Sequence, residues 1–221
     1  MSDVITTGIV ISSMPIGEYD RRLEILTAQF GRISVFARGA RRPSSDLVSV
    51  SRVFAAGTFE LFQGKNSYSL KSAKIMDYFE DLTSDIELTY YGFYFLELCR
   101  YFSRENVESG QMLNLVYLSL KALGHDRICP RLIRSIYELK MLKVNGLCPD
   151  PSKITDPLSR YSTGKTLSRS ACYAIEYVIS APLQKLYTFV LSDEVLDEFT
   201  DSVSHLMSYF VDKQFKTLEL L

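Results

Sequence analysis

Gly31-Arg32-Ile33-Ser34-Val35-Phe36-Ala37-Arg38-Gly39-Ala40-Arg41-Arg42-Pro43-Ser44-Ser45-Asp46 reads as a strand running into a loop, and it sets the reading of the amino-terminal third of the chain. From Arg32 to Arg38 the residues alternate, with Ile33, Val35 and Ala37 on one face and Arg32, Ser34, Phe36 and Arg38 on the other. Gly39 and Pro43 then mark a loop that carries Arg41 and Arg42. Four arginines within eleven residues repel one another unless something anionic faces them.

The same period extends on both sides, from Val4 to about Asp77. Ile5, Ile9 and Ile11 fall on one face of a first strand, with Gly8 placed for a bulge or a close backbone approach. Pro15 and Gly17 mark a turn, and Arg22–Thr27 alternates charged and apolar residues. Leu47–Phe54, Thr58–Phe62 and Tyr68–Ile75 complete a set of four to six strands. Such short strands, at spacings suited to hairpins and sharp bends, point to a small antiparallel barrel of OB type; an SH3-like barrel or a small sandwich fits the same pattern.

Near Tyr78 the period becomes helical and stays so. Ser84 and Glu87 form a capping-box pattern before an apolar, aromatic-rich segment, Ile86–Phe102, which reads as a buried central helix. Further helices fit 111–123, then Pro130 to about Lys143 with Asn145-Gly146 as its stop, then 169–179 behind Ser168, and about 193–215 behind Ser192. In the last, Val195, Phe199, Val203, Leu206 and Phe210 form the apolar stripe. Residues 147–165 read as an irregular loop. The expected class is therefore α+β, a barrel over 1–78 followed by an all-helical domain over 79–221.

The 221 residues carry a net charge of −1, with 47% hydrophobic and 23% charged residues, which is ordinary for a globular protein. The charge is uneven. Residues 1–75 hold ten Lys+Arg against six Asp+Glu, net +4, and residues 76–221 hold fifteen against twenty, net −5. Met1–Thr7 lacks the basic and apolar regions of a secretion signal, and the most apolar window is interrupted by Glu97 and Arg100, so a cytoplasmic protein is expected. Cys99, Cys129, Cys148 and Cys172 form no CxxC pair, and reduced structural thiols are the default.

On the functional reading, Arg38, Arg41 and Arg42 track phosphates, with Arg32 beside them and Phe36 as a stacking surface. The plain alternative is a solvated loop with Arg32 paired to Glu24, and composition does not separate the two. Lys65 and Lys71 add charge nearby, whereas alternation puts Lys74 on the face opposite Lys71. Arg131 and Arg134, with Lys140 further along, make a basic edge beside Leu132, Ile136 and Leu139 that suits an acidic, aromatic-ended peptide; a solvated face is the simpler reading. His125 and His205 stand apart from each other and from any carboxylate cluster. The chain has no Gly-rich phosphate loop, no G-x-S-x-G and no HExxH, so no catalytic residues are expected.

Gly8-Ile9-Val10-Ile11, Gly17-Glu18-Tyr19-Asp20, Leu26-Thr27, Phe30-Gly31-Arg32 and Ala37-Arg38-Gly39-Ala40-Arg41-Arg42-Pro43 resemble the amino-terminal signature of RecO recombination mediators. Phe62-Gln63-Gly64 and Phe215-Lys216-Thr217-Leu218 extend the likeness. The resemblance implies an OB domain followed by a helical domain and a non-enzymatic, nucleoid-associated role in recombinational repair. It implies binding to single- and double-stranded DNA, annealing of complementary strands, and action with RecR in loading RecA onto DNA coated by single-strand-binding protein. The acidic tail of that protein is a further implied partner. Carried over by position, DNA binding falls on Arg38, Arg41 and Arg42, supported by Arg32. Many members hold zinc through four cysteines in the loop after the third helix. Here 147–165 contains only Cys148, so no zinc or other cofactor is expected. The rival expectation is a protein-interaction scaffold with little direct DNA contact, which the near-zero net charge favours.

Overall fold

The structure is a computed structural model that describes residues 2–65 and 67–221. Five strands, β1 (Ser2–Ile16), β2 (Asp20–Thr27), β3 (Gly31–Ala37), β4 (Ala56–Gln63) and β5 (Tyr68–Asp77), close into a barrel in the order β1-β2-β3-β5-β4. β3 and β5 pair in parallel and the other neighbours are antiparallel, which is OB topology. The alternation expected in β3 holds, because Ile33, Val35 and Ala37 are fully buried. They pack with Val10, Leu23, Ile25, Phe59 and Leu61 in the barrel core.

Three expectations in this region are corrected. Leu47–Phe54 is not a strand: α1 (Leu47–Val50) occupies its start, and Leu47 and Val50 pack on the barrel core. Four residues are too few to display helical period, and apolar side chains at 47, 48 and 50 satisfy either pattern. Ile5, Ile9 and Ile11 do not form one continuous face. The register of β1 against β2 skips between Val10 and Ser12, so a bulge falls at Ile11 and takes it out of the alternation of Ile5 and Ile9. It is Val10 that enters the barrel core, while Ile5 is 70% exposed. Of the two roles expected of Gly8, the close backbone approach is the one found, since a Cβ there would stand 2.6 Å from the Leu26 carbonyl oxygen. Finally, the register of β4 against β5 skips Lys71, and Lys71 and Lys74 are both exposed. A bulge reverses the in-out order beyond it, which no count along one strand can anticipate.

The helices are α2 (Glu80–Thr83), α3 (Ile86–Phe102), α4 (Gly110–Leu123), α5 (Pro130–Val144), α6 (Pro151–Thr155), α7 (Arg169–Ser180) and α8 (Asp193–Phe210). Asp85, rather than Ser84, caps α3, its Oδ1 accepting from the Leu88 amide at 3.0 Å. α5 begins on Pro130 and ends where Gly146, at φ 71°, lets the Leu147 amide reach back to the Leu142 carbonyl at 2.9 Å. α6 lies within the segment expected to be irregular, opened by Pro151 behind an Asp150 cap. α8 stops at Phe210, five residues before the expected end, and Phe215 packs edge-on against Tyr94 at 5.5 Å.

The chain divides into two compact units, Met1–Glu80 with Leu96–Tyr117, and Asp81–Phe95 with Leu118–Leu221. A single cut after residue 78 does not reproduce this division. Residues 104–109 follow the barrel edge, where the Arg104 carbonyl accepts from the Arg32 amide, and the Asn106 and Ser109 amides donate to Phe30 and Ala28, at 2.8–3.1 Å. Gly31, at φ 64°, is required there, because a Cβ would meet the Arg104 carbonyl oxygen at 2.0 Å.

Candidate nucleic-acid interface

Register decides which loops lie together. Pro15 pairs with Arg21 and Arg21 with Ala37, so the β1–β2 turn and the segment after β3 leave the barrel at one end. Val35 pairs with Tyr68 in parallel, so the chain before Tyr68, with the exposed Lys65, runs back alongside β3 and away from that end. Arg38, Arg41 and Arg42 thus lie at the end where the β1–β2 turn leaves the barrel, and Lys65 does not join them.

Local hydrogen bonds hold the arginine loop. Asp20 Oδ1 accepts from the Gly39 amide at 2.7 Å, the Arg41 amide donates to the Tyr19 carbonyl at 2.8 Å, and Arg41 Nη1 donates to the Gly17 carbonyl at 3.0 Å. The Arg42 guanidinium lies 5.0 Å from the centre of the Tyr19 ring. Gly17 and Gly39 both have positive φ, at 57° and 71°, and this permits the tight paths on both sides of the clasp. Glu18 accepts from the Tyr19 hydroxyl and raises its pKa.

The seven barrel residues proposed from sequence separate by partner. Arg38, Arg41 and Arg42 are exposed, and among the described residues none of them meets a carboxylate. Arg32 is committed: its Nη1 stands 3.3 Å from Glu24, which also receives Arg100 Nε at 2.6 Å. Lys71 is committed too, at 2.9 Å from Asp3 and 2.8 Å from Glu60; these bonds raise the lysine pKa and lower that of Glu60. Phe36 is exposed on the outer wall and Lys65 on its loop. Sequence reasoning missed Tyr19, which holds Arg42, and Arg22, an exposed neighbour of Phe36 whose Nε donates to Ser34 Oγ at 2.9 Å. Tyr19 stood within the Gly17–Asp20 signature, and alternation along β2 would have put Arg22 outside.

The basic edge expected on α5 is occupied from within the helical unit. Arg131 pairs with Asp197 at 2.6 Å and donates to Thr200 at 2.8 Å. Arg134 Nε lies 3.4 Å from Glu138, an ion-pair distance without hydrogen-bond geometry. Glu138 is buried, which raises its pKa, and its Oε1 accepts from the Tyr94 hydroxyl at 2.6 Å. Lys140 is buried as well, and its ammonium donates to the Val178, Ile179 and Ala181 carbonyls at 2.6–3.1 Å. It closes the carboxyl end of α7 and is not available to a peptide, a correction that follows from burial. A separate groove in this unit is lined by Arg169, Tyr173, Tyr177, Phe189 and Val190.

Cys148 is the lone cysteine of the 147–165 segment, and burial pushes its thiol up to about 11. No group of three or more His, Cys, Asp or Glu among the described residues is placed to hold a metal. Of the four cysteines that a zinc site in this loop would take, the segment supplies one. Aromatic packing fastens the segment instead: Tyr161 lies 5.1 Å from Tyr209 and 5.8 Å from Phe210, under the Arg160 guanidinium. Among the described residues no helix is long and apolar enough to cross a membrane.

Two family models match, Recombination protein O N terminal over residues 1–79 and Recombination protein O C terminal over residues 83–153. The chain belongs to the RecO family. The DNA repair protein RecO of Acetivibrio thermocellus is 26% identical over 98% of this chain and 95% of its own length. That of Clostridium perfringens is 26% identical over 97% and 95%. A third, from Listeria welshimeri, is 33% identical over 66% of this chain and 57% of its own length. The RecO amino-terminal match spans the barrel and its arginine loop, so the cluster lies inside that matched segment.

Proposed function

We propose that this RecO-family chain is a non-enzymatic DNA repair and recombination protein that grips the phosphates of single- and double-stranded DNA with the loop end of its barrel. The supporting observation is that Arg38, Arg41 and Arg42 lie on a hydrogen-bonded loop and form no ion pair among the described residues, the Asp20 carboxylate of the clasp being taken by the Gly39 amide. Three neighbouring cations without ion-pair partners are the arrangement a polyanion stabilises. Annealing follows from the same chemistry: screening the repulsion between two strands lets complementary bases meet, and no catalytic residue takes part. With RecR, the protein helps load RecA onto DNA coated by single-strand-binding protein, in the cytoplasm and at the nucleoid. The acidic tail of the coating protein docks on the helical unit. Since Arg131, Arg134 and Lys140 are engaged internally, the Arg169–Tyr173–Tyr177 groove, a cation beside an aromatic lining, is the better match for it. No zinc is required.

Charge reversal tests this. Arg38→Glu, Arg41→Glu and Arg42→Glu together should weaken binding to both DNA forms and lower the slope of log affinity against log salt by roughly three, about one for each phosphate no longer neutralised. Unchanged affinity and slope would remove the loop from the interface. A mobility shift insensitive to salt, or absent in the wild type, would favour the scaffold reading.

A further inference from the structure

We propose that an outer row of the barrel, Arg22, Phe36 and Phe62, is a stacking platform for the unpaired bases of single-stranded DNA, and that it is what distinguishes single strands from duplex. The inference rests on the DNA-binding reading above and deepens it.

The registers place five residues in one line across the wall. Met14 is opposite Arg22, Arg22 opposite Phe36, Phe36 opposite Ser69, and Ser69 opposite Phe62. Met14, Phe36 and Phe62 are 58%, 36% and 39% exposed, so three large apolar side chains of this line stand in solvent although each strand also offers inward positions. Ser69 between the two phenylalanines is too small to cover either ring. With strands about 4.8 Å apart, Phe36 and Phe62 stand roughly 10 Å from each other, room for separate bases of one extended strand. Arg22 completes the row, with no carboxylate against it among the described residues.

The row is also next to the phosphate grip. Arg21 pairs with Ala37 one step beyond it, and Arg38 follows at the root of the loop. A strand held by Arg38, Arg41 and Arg42 therefore has its bases within reach of Phe36.

The loop and the row act on different parts of the ligand. Arginines meet phosphates, which single strands and duplexes both present. Aromatic rings gain only from base faces, and in a duplex those faces are already stacked on one another. Phe36 and Phe62 thus add affinity for single strands alone. Because the row is an open surface, a base lying flat on it keeps its pairing edge free, which suits a protein that brings complementary strands together.

Fluorescence anisotropy at one salt concentration separates the two contributions, using an oligothymidine, an abasic oligomer and a duplex of equal length. Phe62→Ala and Phe36→Ala should each weaken oligothymidine binding about tenfold, leave the abasic and duplex probes unchanged, and be rescued by Phe62→Trp and Phe36→Trp. The platform is overturned if the alanine variants bind oligothymidine like the wild type, or weaken on all three probes in equal proportion. A wild type that binds none of the probes overturns the DNA-binding reading as well, and so the two failures are told apart.

Discussion

Arg38, Arg41 and Arg42 on the barrel and Arg131, Arg134 and Lys140 on α5 are two sets of three cations that look alike as sequence and differ in what surrounds them. In the first set Arg41 donates to the Gly17 carbonyl and Arg42 lies over the Tyr19 ring, and among the described residues none of the three pairs with a carboxylate. The second closes on Asp197, Glu138 and the carboxyl end of α7. Arg32 shows the same contrast within one strand, since Glu24 engages it while Arg38, six residues on, meets no acid among the described residues. A basic residue signals an anionic ligand only when the fold does not already supply the anion.

The contrast can be broken by mutation. Lys140→Ala strands three carbonyls at the buried end of α7 and should cost about 3 kcal/mol in urea denaturation, with DNA affinity unaltered. A stable variant that no longer binds an acidic peptide would return Lys140 to the docking surface. Asp20 tests the opposite set. Asp20→Asn keeps an acceptor for the Gly39 amide and Asp20→Ala does not, so the asparagine variant should bind DNA roughly threefold more tightly than the alanine variant, through an ordered loop. Equal affinities would show that loop order does not matter.

Smaller still, Arg131→Ala should cost at most about 1 kcal/mol, because its ion pair with Asp197 is half exposed. Last comes a slope. Burial raises the Glu138 pKa against the opposing pull of Arg134 and Tyr94. The folded protein therefore binds a proton more tightly than the unfolded chain. The stability this contributes is complete below the ordinary value of 4.5 and is lost as pH rises through the higher folded value. Glu138→Gln should remove that decline, read as urea midpoints over a pH series.

Much of the frame was legible in the sequence. Ile33, Val35 and Ala37 announced an inward face, and Pro130 with Asn145-Gly146 bounded a helix to within a residue. The misreadings within the strands share one cause. Lys71 and Lys74 are both exposed, and Ile11 left the alternation of Ile5 and Ile9, because a bulge in the pairing shifts the in-out order, and pairing belongs to two strands at once. α1 was hidden because four residues fit either period. Within the candidate site, Arg38, Arg41 and Arg42 were visible as a run, whereas the roles of Tyr19, Arg22 and Phe62 depend on neighbours from other strands.

By itself, then, the sequence determined what local chemistry can encode: a barrel followed by helices, the ends of the longer helices, and an arginine loop after the third strand. Hydrophobic period, proline, glycine and charge act over a few residues, and that is the range over which they can be read along a chain. Which arginines stay free for a polyanion, and which aromatic rings line up beside them, was decided only by the tertiary structure. Ion pairing, burial and cross-strand register depend on residues brought together from distant positions, and only the closed barrel and the packed helices set those distances.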